Sequence, residues 1–314
     1  MKIPRLFLTL TDYTCFFARR KKAMKVAIQG IKGCNHYVAA KKYFAGKEIE
    51  TIDCDTFKEL ARLVAEDPDI LGIMAIENTI AGSLLQNYRI IREAGLKVVG
   101  EYKLRIKHAL VALPGVKIED IVEVNTHPMA FMQCADYLER LGNLRLVEKD
   151  DTAGAARWIS ENNLRDHAAI CPADAAELFG MEVLADGIET NKRNFTRFLI
   201  VAHPDVAQKI MVEQCPGGDV EGHVNKSELV FTLPHTPGSL SKILTVLSFY
   251  DMNLTMIQSL PIIGKEWEYQ FYSSLMFDNY TRYRQAINAI LPLTKEFRIL
   301  GEYMEGQKSI ENKL

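Results

Sequence analysis

The stretch Asn194-Phe195-Thr196-Arg197-Phe198 runs directly into the apolar residues Leu199-Ile200-Val201, which predict a buried strand. It places a hydroxyl and a guanidinium side by side at the entrance of that strand. Adjacent side chains of a strand point to opposite faces, so Thr196 and Arg197 can share a ligand only if the strand entrance is irregular. Arginine is well shaped to hold a carboxylate through two parallel hydrogen bonds. The alternative interpretation is a capping threonine and a surface arginine beside a core strand.

The composition limits the class of protein. A chain of 314 residues with 48% apolar residues is long enough for two domains. The formal net charge of -2 gives no basic surplus, so we expect no nucleic-acid partner. No run approaches the roughly 20 apolar residues that a membrane span requires, so we expect no membrane partner. The six cysteines show no C-x-x-C spacing, and four of them lie within or beside apolar runs: Cys34, Cys54, Cys134 and Cys171. These four predict reduced thiols in a cytoplasmic protein.

The pattern along the chain predicts a domain organisation. Residues 1–23 are interpreted as a non-core N-terminal extension, because Asp12 interrupts their apolar run and Met24 opens a clean strand. From residue 24 to 205, short apolar runs alternate with amphipathic stretches, which predicts an α/β domain. A polar, glycine-rich segment lies within a predicted linker at 206–225. The order βαββαβ is predicted for 226–304, followed by a polar tail at 305–314.

Several polar motifs accompany the Thr-Arg-Phe segment in a fixed order. They are Ile76-Glu77-Asn78-Thr79-Ile80-Ala81-Gly82-Ser83, Asn125-Thr126-His127-Pro128-Met129-Ala130 with Gln133-Cys134, Asp151-Thr152-Ala153-Gly154-Ala155-Ala156, and Pro237-Gly238-Ser239-Leu240 with Asn253-Leu254-Thr255. With the Thr-Arg-Phe segment, the first three resemble the prephenate dehydratase family, and the last resembles the ACT regulatory domain that commonly follows its catalytic domain. The resemblance runs from about residue 24 to 303.

The resemblance implies both a fold and a reaction. The expected fold is a two-lobed, periplasmic-binding-protein-like α/β catalytic domain at 24–205 plus a ferredoxin-like ACT domain. The expected reaction is the decarboxylating dehydration of prephenate to phenylpyruvate in L-phenylalanine biosynthesis, a lyase reaction. Aromatisation drives it, so the resemblance implies neither a cofactor nor a metal. The protein must hold two anionic groups, donate a proton to the departing hydroxyl and leave the breaking carboxylate poorly solvated.

The resemblance also suggests site residues. Thr196 is the candidate proton donor and Arg197 the candidate carboxylate clamp, while Phe198 either walls the pocket or belongs to the core. The other candidate substrate-binding residues lie at strand-to-helix turns, where free amides suit a carboxylate: Glu77, Asn78, Thr79, Gly82, Ser83, Thr126, His127 and Thr152. Glu77 is also a candidate to orient Asn78 or to pair with Arg197, and His127 is equally interpreted as a structural histidine.

Two segments depart from the family pattern. The first motif reads Gly30-Ile31-Lys32-Gly33-Cys34-Asn35-His36, so Cys34 and His36 replace expected hydroxyl residues. In the ACT region, Gln258 and Leu260 replace a charged pair, which leaves the effector preference open. The candidate effector site, expected to bind L-phenylalanine, comprises Pro237, Gly238, Ser239, Leu240, Asn253, Leu254, Gln258 and Ser259.

The sequence is also compatible with other functions. Arogenate dehydratase, which acts on the corresponding amino acid, is a close enzymatic alternative. A non-catalytic two-lobed ligand sensor with an ACT module is a different class, although such a sensor does not need the donor Thr196. A homodimer or homotetramer is expected, because an exposed ACT sheet edge is a natural pairing surface.

Overall fold

A computed structural model describes residues 23–265 and 268–306 of the chain. Apart from Ala23, the predicted N-terminal extension lies outside these residues, as do the last eight residues of the predicted tail. The first lobe begins with the following elements: β1 (Met24–Gln29), α1 (Asn35–Tyr43), β2 (Ile49–Cys54), α2 (Phe57–Glu66), β3 (Ile70–Asn78), β4 (Gly82–Ser83), α3 (Leu85–Glu93) and β5 (Lys97–Arg105).

The second lobe is a separate five-stranded sheet. Its elements are β6 (Ala109–Ala112), β7 (Glu123–Thr126), α4 (Pro128–Gln133), α5 (Ala135–Leu141), β8 (Arg145–Glu148), α6 (Thr152–Glu161), β9 (His167–Cys171), α7 (Ala173–Leu178) and β10 (Glu182–Ala185). The strand order is β10-β6-β9-β7-β8. The chain then returns to the first lobe as β11 (Phe195–Ala202), which lies antiparallel between β3 and β5. The predicted two-lobed α/β fold is therefore confirmed.

The C-terminal unit has the predicted βαββαβ order. After α8 (Pro204–Gln214) and α9 (Val220–His223) it comprises β12 (Lys226–Thr232), α10 (Ser239–Phe249), β13 (Asn253–Pro261), β14 (Tyr269–Met276), α11 (Tyr280–Ile290) and β15 (Glu296–Tyr303). Its strand order is β13-β14-β12-β15, and β15 meets β5 of the first lobe at the pair Gly301 and Val98. A Cβ at Gly301 would lie 2.1 Å from the carbonyl oxygen of Val98, so only glycine permits this approach.

The structure differs from the sequence pattern in several places. Strand β12 pairs with β14 and β15, and the contact of β15 with β5 joins both units in one sheet. Much of the predicted linker is helical, because α8 packs Val206, Ala207 and Ile210 against the core of the lobes. The boundary between two domains stays a prediction. The helices α4 and α5 follow each other directly and are separated only by Cys134.

Strand β11 separates two cores. Phe198 and Ile200 pack in a core shared with the second lobe, whereas Leu199 and Val201 pack in one shared with the C-terminal unit. The alternation of strand side chains thus gives Thr196 and Arg197 different surroundings. Within the described residues, no helix combines the length and the apolar character needed to traverse a bilayer.

Candidate active site

An irregularity in β3 places Asn78 beside Thr196. Thr196 pairs with Asn78 and Arg197 with Glu77, but Phe198 pairs with Ala75, so Ile76 is an extra residue in β3. Such a bulge reverses the direction in which the following side chains point. Asn78 consequently shares the face of Thr196, and Glu77 shares the face of Arg197.

Asn78 fixes the hydrogen-bonding role of the Thr196 hydroxyl. The side-chain oxygen of Asn78 accepts hydrogen bonds from the amides of Ile80 (2.9 Å) and Ala81 (2.8 Å), which orients its Nδ2 toward Thr196. That nitrogen donates to Thr196 Oγ1 at 2.9 Å and to Asn194 Oδ1 at 2.7 Å. Since an amide nitrogen only donates, Thr196 Oγ1 is the acceptor and its own proton can be directed elsewhere.

This arrangement suits a proton donor. Thr196 is 8% exposed, and a hydroxyl that accepts a hydrogen bond in a poorly solvated site is polarised toward donation. The prediction that Thr196 donates is compatible with this geometry and stays a prediction.

Arg197, in contrast, is fully engaged in protein contacts. Its Nε donates to Glu101 (2.6 Å), its Nη1 to Tyr88 (3.3 Å) and Ser274 (3.2 Å), and its Nη2 to Tyr303 (2.9 Å) and to Glu228. A guanidinium has five N–H donors, and all five are used. The structure therefore contradicts a free carboxylate clamp at Arg197, because the side chain points away from the Thr196 face and into the C-terminal unit.

The surroundings of Arg197 form a balanced, buried charge cluster. Lys226 Nζ donates to both carboxylate oxygens of Glu101 at 2.9 Å, so Arg197 and Lys226 face two carboxylates, those of Glu101 and Glu228. Burial raises the pKa of Glu101, but the attraction of Arg197 and Lys226 outweighs it and lowers that pKa to about 2. The carboxylate is therefore ionised throughout the neutral range. We call these four residues, with Tyr88, Ser274 and Tyr303, the Arg197 network.

Phe198 belongs to the core and packs against the ring of His36. Phe198 is 1% exposed and meets the His36 ring edge-on at 5.0 Å between centroids. His36 Nε2 accepts the Ala75 amide at 3.3 Å, and burial lowers the His36 pKa to about 3. The ring is thus a neutral acceptor that braces β3. Of the two interpretations of Phe198, the structure supports the core role.

The motif at 77–83 is divided between two faces. Glu77 and Thr79 line a cavity of about 310 Å³ together with Lys103, Phe195 and Arg197, on the face opposite Thr196. The Thr79 hydroxyl accepts the Phe195 amide at 2.9 Å. Glu77 therefore shares a face with Arg197, but the guanidinium bonds Glu101 and Glu228.

The motif at 77–83 ends in a short strand and not in a helix. Gly82 and Ser83 form β4, paired with Asn78 and Glu77, and Leu84 is the N-cap of α3 without a side-chain hydrogen bond. The expectation that this segment is a strand-to-helix turn is wrong, because its polar groups satisfy the turn between β3 and β4 instead.

Thr126 and His127 are held by the second lobe. The Thr126 hydroxyl donates to the Ile170 carbonyl at 2.5 Å and is fully buried, so it is not free for a ligand. The His127 side chain caps α4 by accepting the Met129 amide at 3.2 Å. This backbone contact agrees with the structural interpretation of His127, and because the ring is exposed its contact with a ligand stays a prediction.

The start of α6 lies against the first lobe. Asp151 caps the helix by accepting the Gly154 amide at 2.6 Å, and its other oxygen would lie 3.2 Å from a Cβ at Gly30. That cap occupies an amide that was expected to bind a ligand, whereas Thr152 is half-buried at the first position of the helix.

The thiol of Cys34 is not a candidate nucleophile. Burial raises the pKa of Cys34 to about 12, so the thiol is not ionised to a thiolate.

Some buried polar residues were not assigned a role from the sequence. Asn194 is fully buried beside Asn78, and the amide of His108 donates to Glu189 at 3.0 Å where the chain crosses between the lobes. His108 Nε2 also lies 2.8 Å from Gln133 Oε1. Asn194 and Gln133 lie within the polar sequence motifs, so the sequence already indicated that they could have a role. His108 and Glu189 lie outside every motif, so their pairing depends on tertiary structure.

The predicted effector residues fall into two groups. Pro237, Gly238, Ser239 and Leu240 line a cavity of about 570 Å³ together with Leu233–Thr236, Ser241, Tyr269 and Phe271. The remaining four, Asn253, Leu254, Gln258 and Ser259, lie on β13 and are not among the residues that line it. Asn253 pairs with Met276, five residues along β14 from Phe271, a separation of roughly 17 Å.

Comparisons with known proteins agree on the family. The family model described as prephenate dehydratase matches residues 26–206. A relative in Arabidopsis thaliana, named arogenate dehydratase/prephenate dehydratase 6, chloroplastic, is 33% identical over 89% of this chain and 68% of its own length. The expected cytoplasmic location is contradicted, because this and other Arabidopsis relatives are chloroplastic. Reduced cysteines indicate a reducing environment but do not identify the compartment.

Two solved structures share the fold over most of the chain. Prephenate dehydratase from Arthrobacter aurescens in complex with L-Phe has a TM-score of 0.77, 26% identity, and coverage of 90% of each chain. A protein described as GqqA, a novel type of quorum quenching acylases, has a TM-score of 0.78 and 28% identity, and the match covers 90% of this chain and 98% of that one.

Proposed function

Since the chain belongs to the prephenate dehydratase family, we propose that it converts prephenate to phenylpyruvate by decarboxylating dehydration. The observation that carries this proposal is the hydrogen bond from Asn78 Nδ2 to Thr196 Oγ1. It gives the threonine a defined acceptor role and leaves its proton for the substrate.

The chemistry follows from this hydroxyl. The ring carbon–oxygen bond of prephenate breaks, and the departing hydroxyl takes the proton of Thr196 and leaves as water. The bond to the ring carboxylate breaks at the same stage, its electron pair enters the ring, and carbon dioxide is released. Thr196 then recovers a proton from solvent. The formation of an aromatic ring supplies the driving force, so the residues need only position the substrate and supply this proton.

Binding of the anionic groups is assigned to residues other than Arg197. His127 is exposed at the start of α4, and Thr152 is half-buried at the start of α6. Both helix N-termini provide a favourable end of the helix dipole for a carboxylate. These two residues are therefore the proposed contacts with the anionic groups of the substrate.

Arogenate is the second candidate substrate. Relatives from Petunia and Arabidopsis at 33% identity carry arogenate dehydratase in their names. The test is incubation of the purified protein with prephenate or arogenate, with mass-spectrometric detection of phenylpyruvate or phenylalanine. Turnover of prephenate with the higher kcat/KM supports the proposal, and a preference for arogenate replaces it with the second candidate. Tight binding of either compound without turnover would instead identify a ligand sensor.

We further propose that the C-terminal unit is an ACT regulatory domain that binds L-phenylalanine in the 570 Å³ cavity. The helix α10 begins at this cavity with Gly238 as an N-cap that offers no side-chain bond, so backbone amides are available for the amino-acid carboxylate. Leu240 and Phe271 supply apolar surface for its side chain. The Arthrobacter relative was solved with L-Phe.

A second copy of the chain is proposed to complete this effector site. Asn253 lies roughly 17 Å along the sheet from the cavity of its own chain, too far to contact the same ligand. Pairing of two units brings Asn253 of one copy toward the cavity of the other in a homodimer or homotetramer. Light scattering with and without phenylalanine tests the assembly, and a monomer under both conditions would contradict it.

A further inference from the structure

The Arg197 network joins the strand of the candidate proton donor to three strands of the C-terminal unit. Arg197 directly follows Thr196 on β11. Three of its five partners, Glu228 on β12, Ser274 on β14 and Tyr303 on β15, belong to that unit. Ser274 Oγ and Tyr303 Oη also donate to Glu228, both at 2.6 Å, so Glu228 is the common acceptor of the cluster.

Two of the same strands lead to the proposed effector cavity. From Glu228, strand β12 continues to its last residue, Thr232, and the next residue, Leu233, lines the cavity. On β14, Phe271 lines the cavity and Ser274 lies three residues further on. Strand geometry places the network roughly 10–17 Å from the cavity along continuous, hydrogen-bonded backbone.

The network tolerates little displacement of β12. Glu228 is fully buried, so water cannot replace a partner that its carboxylate loses. A hydrogen bond to Glu228 is lost when donor and acceptor separate beyond about 3.5 Å. A shift of β12 must therefore either move Arg197 with it or leave buried charge unpaired, which is strongly unfavourable.

We propose that Glu228 is a positioning residue that acts through Arg197 on Thr196 and transmits occupancy of the effector cavity to the catalytic strand. Arg197 lies immediately beside the bulge that brings Asn78 to Thr196, so its side chain anchors the register on which that hydrogen bond depends. An effector that favours another position of β12 lowers the fraction of molecules in which β11 holds Thr196 beside Asn78. This shift requires only that the effector binds the two positions of β12 with different affinities. The regulatory part rests on the proposed function.

The test uses the full chain with two network variants and one matched control. Glu228→Gln removes the central charge, and Tyr303→Phe removes one hydroxyl while keeping the ring, in case the first variant folds poorly. Glu302→Gln is the control, because Glu302 lies next to Tyr303 but bonds Arg284 and Tyr280 (both 3.3 Å) within the C-terminal unit. Hydrogen exchange of residues 194–202 is measured without ligand, followed by kcat, KM and phenylalanine inhibition.

The expected results separate positioning from general stability. In both network variants, amides of 194–202 exchange about tenfold faster and kcat falls with little change in KM. Calorimetry still detects phenylalanine, but inhibition weakens at least about fivefold, whereas the control behaves as the wild type. If the amides of residues 194–202 exchanged at the same rate in both network variants as in Glu302→Gln, the positioning role would be overturned. If phenylalanine inhibited both network variants as strongly as the wild type, the coupling would be overturned. If the wild type showed no dehydratase turnover, the proposed function would be refuted but the positioning role would not. The positioning role is tested separately, because hydrogen exchange is measured without substrate.

Discussion

At the scale of single residues, the neighbours Thr196 and Arg197 lie on opposite faces of β11 and have different roles. Thr196 accepts a hydrogen bond from Asn78 on the face shared with the second lobe, and Arg197 is enclosed by carboxylates on the other face. The strand period of two residues already indicated that both could share a ligand only at an irregular entrance. The irregularity lies in β3 rather than in β11, and it pairs Thr196 with Asn78 without turning Arg197 toward the same face.

The first prediction concerns Thr196. Thr196→Ala should lower kcat by roughly 10²–10⁴, because a proton donor acts in the transition state, and should change KM much less. Thr196→Ser keeps the hydroxyl and should retain most of the activity. Steady-state kinetics with the preferred substrate provides the measurement. Near-normal turnover of Thr196→Ala would remove the residue from the mechanism.

The second prediction concerns Arg197. Arg197→Ala should lower the free energy of unfolding by about 3–5 kcal/mol, because it leaves the carboxylates of Glu101 and Glu228 buried without this partner. Arg62→Ala is the control, since Arg62 forms an exposed pair with Glu66 that is worth less than about 1 kcal/mol. Denaturant unfolding monitors both variants. A loss for Arg197→Ala as small as that of the control would show that the network contributes little to stability.

At the scale of elements, regular segments were predictable and the site-forming irregularities were not. The βαββαβ order of the C-terminal unit follows from periodicity. The bulge at Ile76 and the break at Cys134 depend on which strand or helix packs opposite, so local pattern does not reveal them. The buried pairing of Arg197 with Glu228 joins residues 31 positions apart in different units, and a single charged residue in an apolar strand does not identify its partner.

The third prediction concerns the acid stability contributed by Glu101. Its pKa is lowered from 4.5 to about 2 in the folded protein, so its stabilisation is present above pH 4.5 and is lost as pH falls through about 2. The difference corresponds to roughly 3 kcal/mol. Denaturant unfolding between pH 5 and pH 2 should therefore show a smaller pH-dependent loss in Glu101→Gln than in the wild type.

The control for this prediction is Glu66→Gln, which removes an exposed carboxylate of the first lobe. Its unfolding free energy should retain the wild-type dependence on pH. If Glu101→Gln also retained that dependence, the ionised Glu101 would not contribute to acid stability, and the charge balance of the Arg197 network would have to be assigned differently.

At the scale of the whole molecule, the sequence predicted two lobes and a βαββαβ unit but not their continuity. Motifs at 76–83, 125–134 and 151–156 lie at turns between elements, so their order along the chain indicates a shared fold. The contact between Gly301 and Val98 joins the C-terminal sheet to that of the first lobe. A glycine within an amphipathic strand has many possible causes, and only the neighbouring strand shows that close approach is the reason here.

The last prediction concerns the effector cavity and uses a glycine whose backbone conformation matters. Gly238 has φ +78°, a left-handed conformation that costs an alanine about 1 kcal/mol or more, although no atom lies within 4 Å of a Cβ there. Gly238→Ala should therefore shift the turn that presents the first amides of α10 and weaken phenylalanine binding by about tenfold or more. Gly46→Ala is a matched control, because Gly46 has φ +82° and equal free space but lies in the first lobe.

Calorimetry on the full chain measures this effect, with tyrosine, leucine and methionine compared alongside phenylalanine because Gln258 and Leu260 replace a charged pair of the family. The control variant should bind phenylalanine like the wild type even if its stability falls slightly. Equal weakening in both variants would indicate a general loss of stability rather than a carboxylate contact at Gly238. If no aromatic or large apolar amino acid binds the wild type at millimolar concentration, the C-terminal unit serves assembly through its exposed sheet edge instead of sensing an effector.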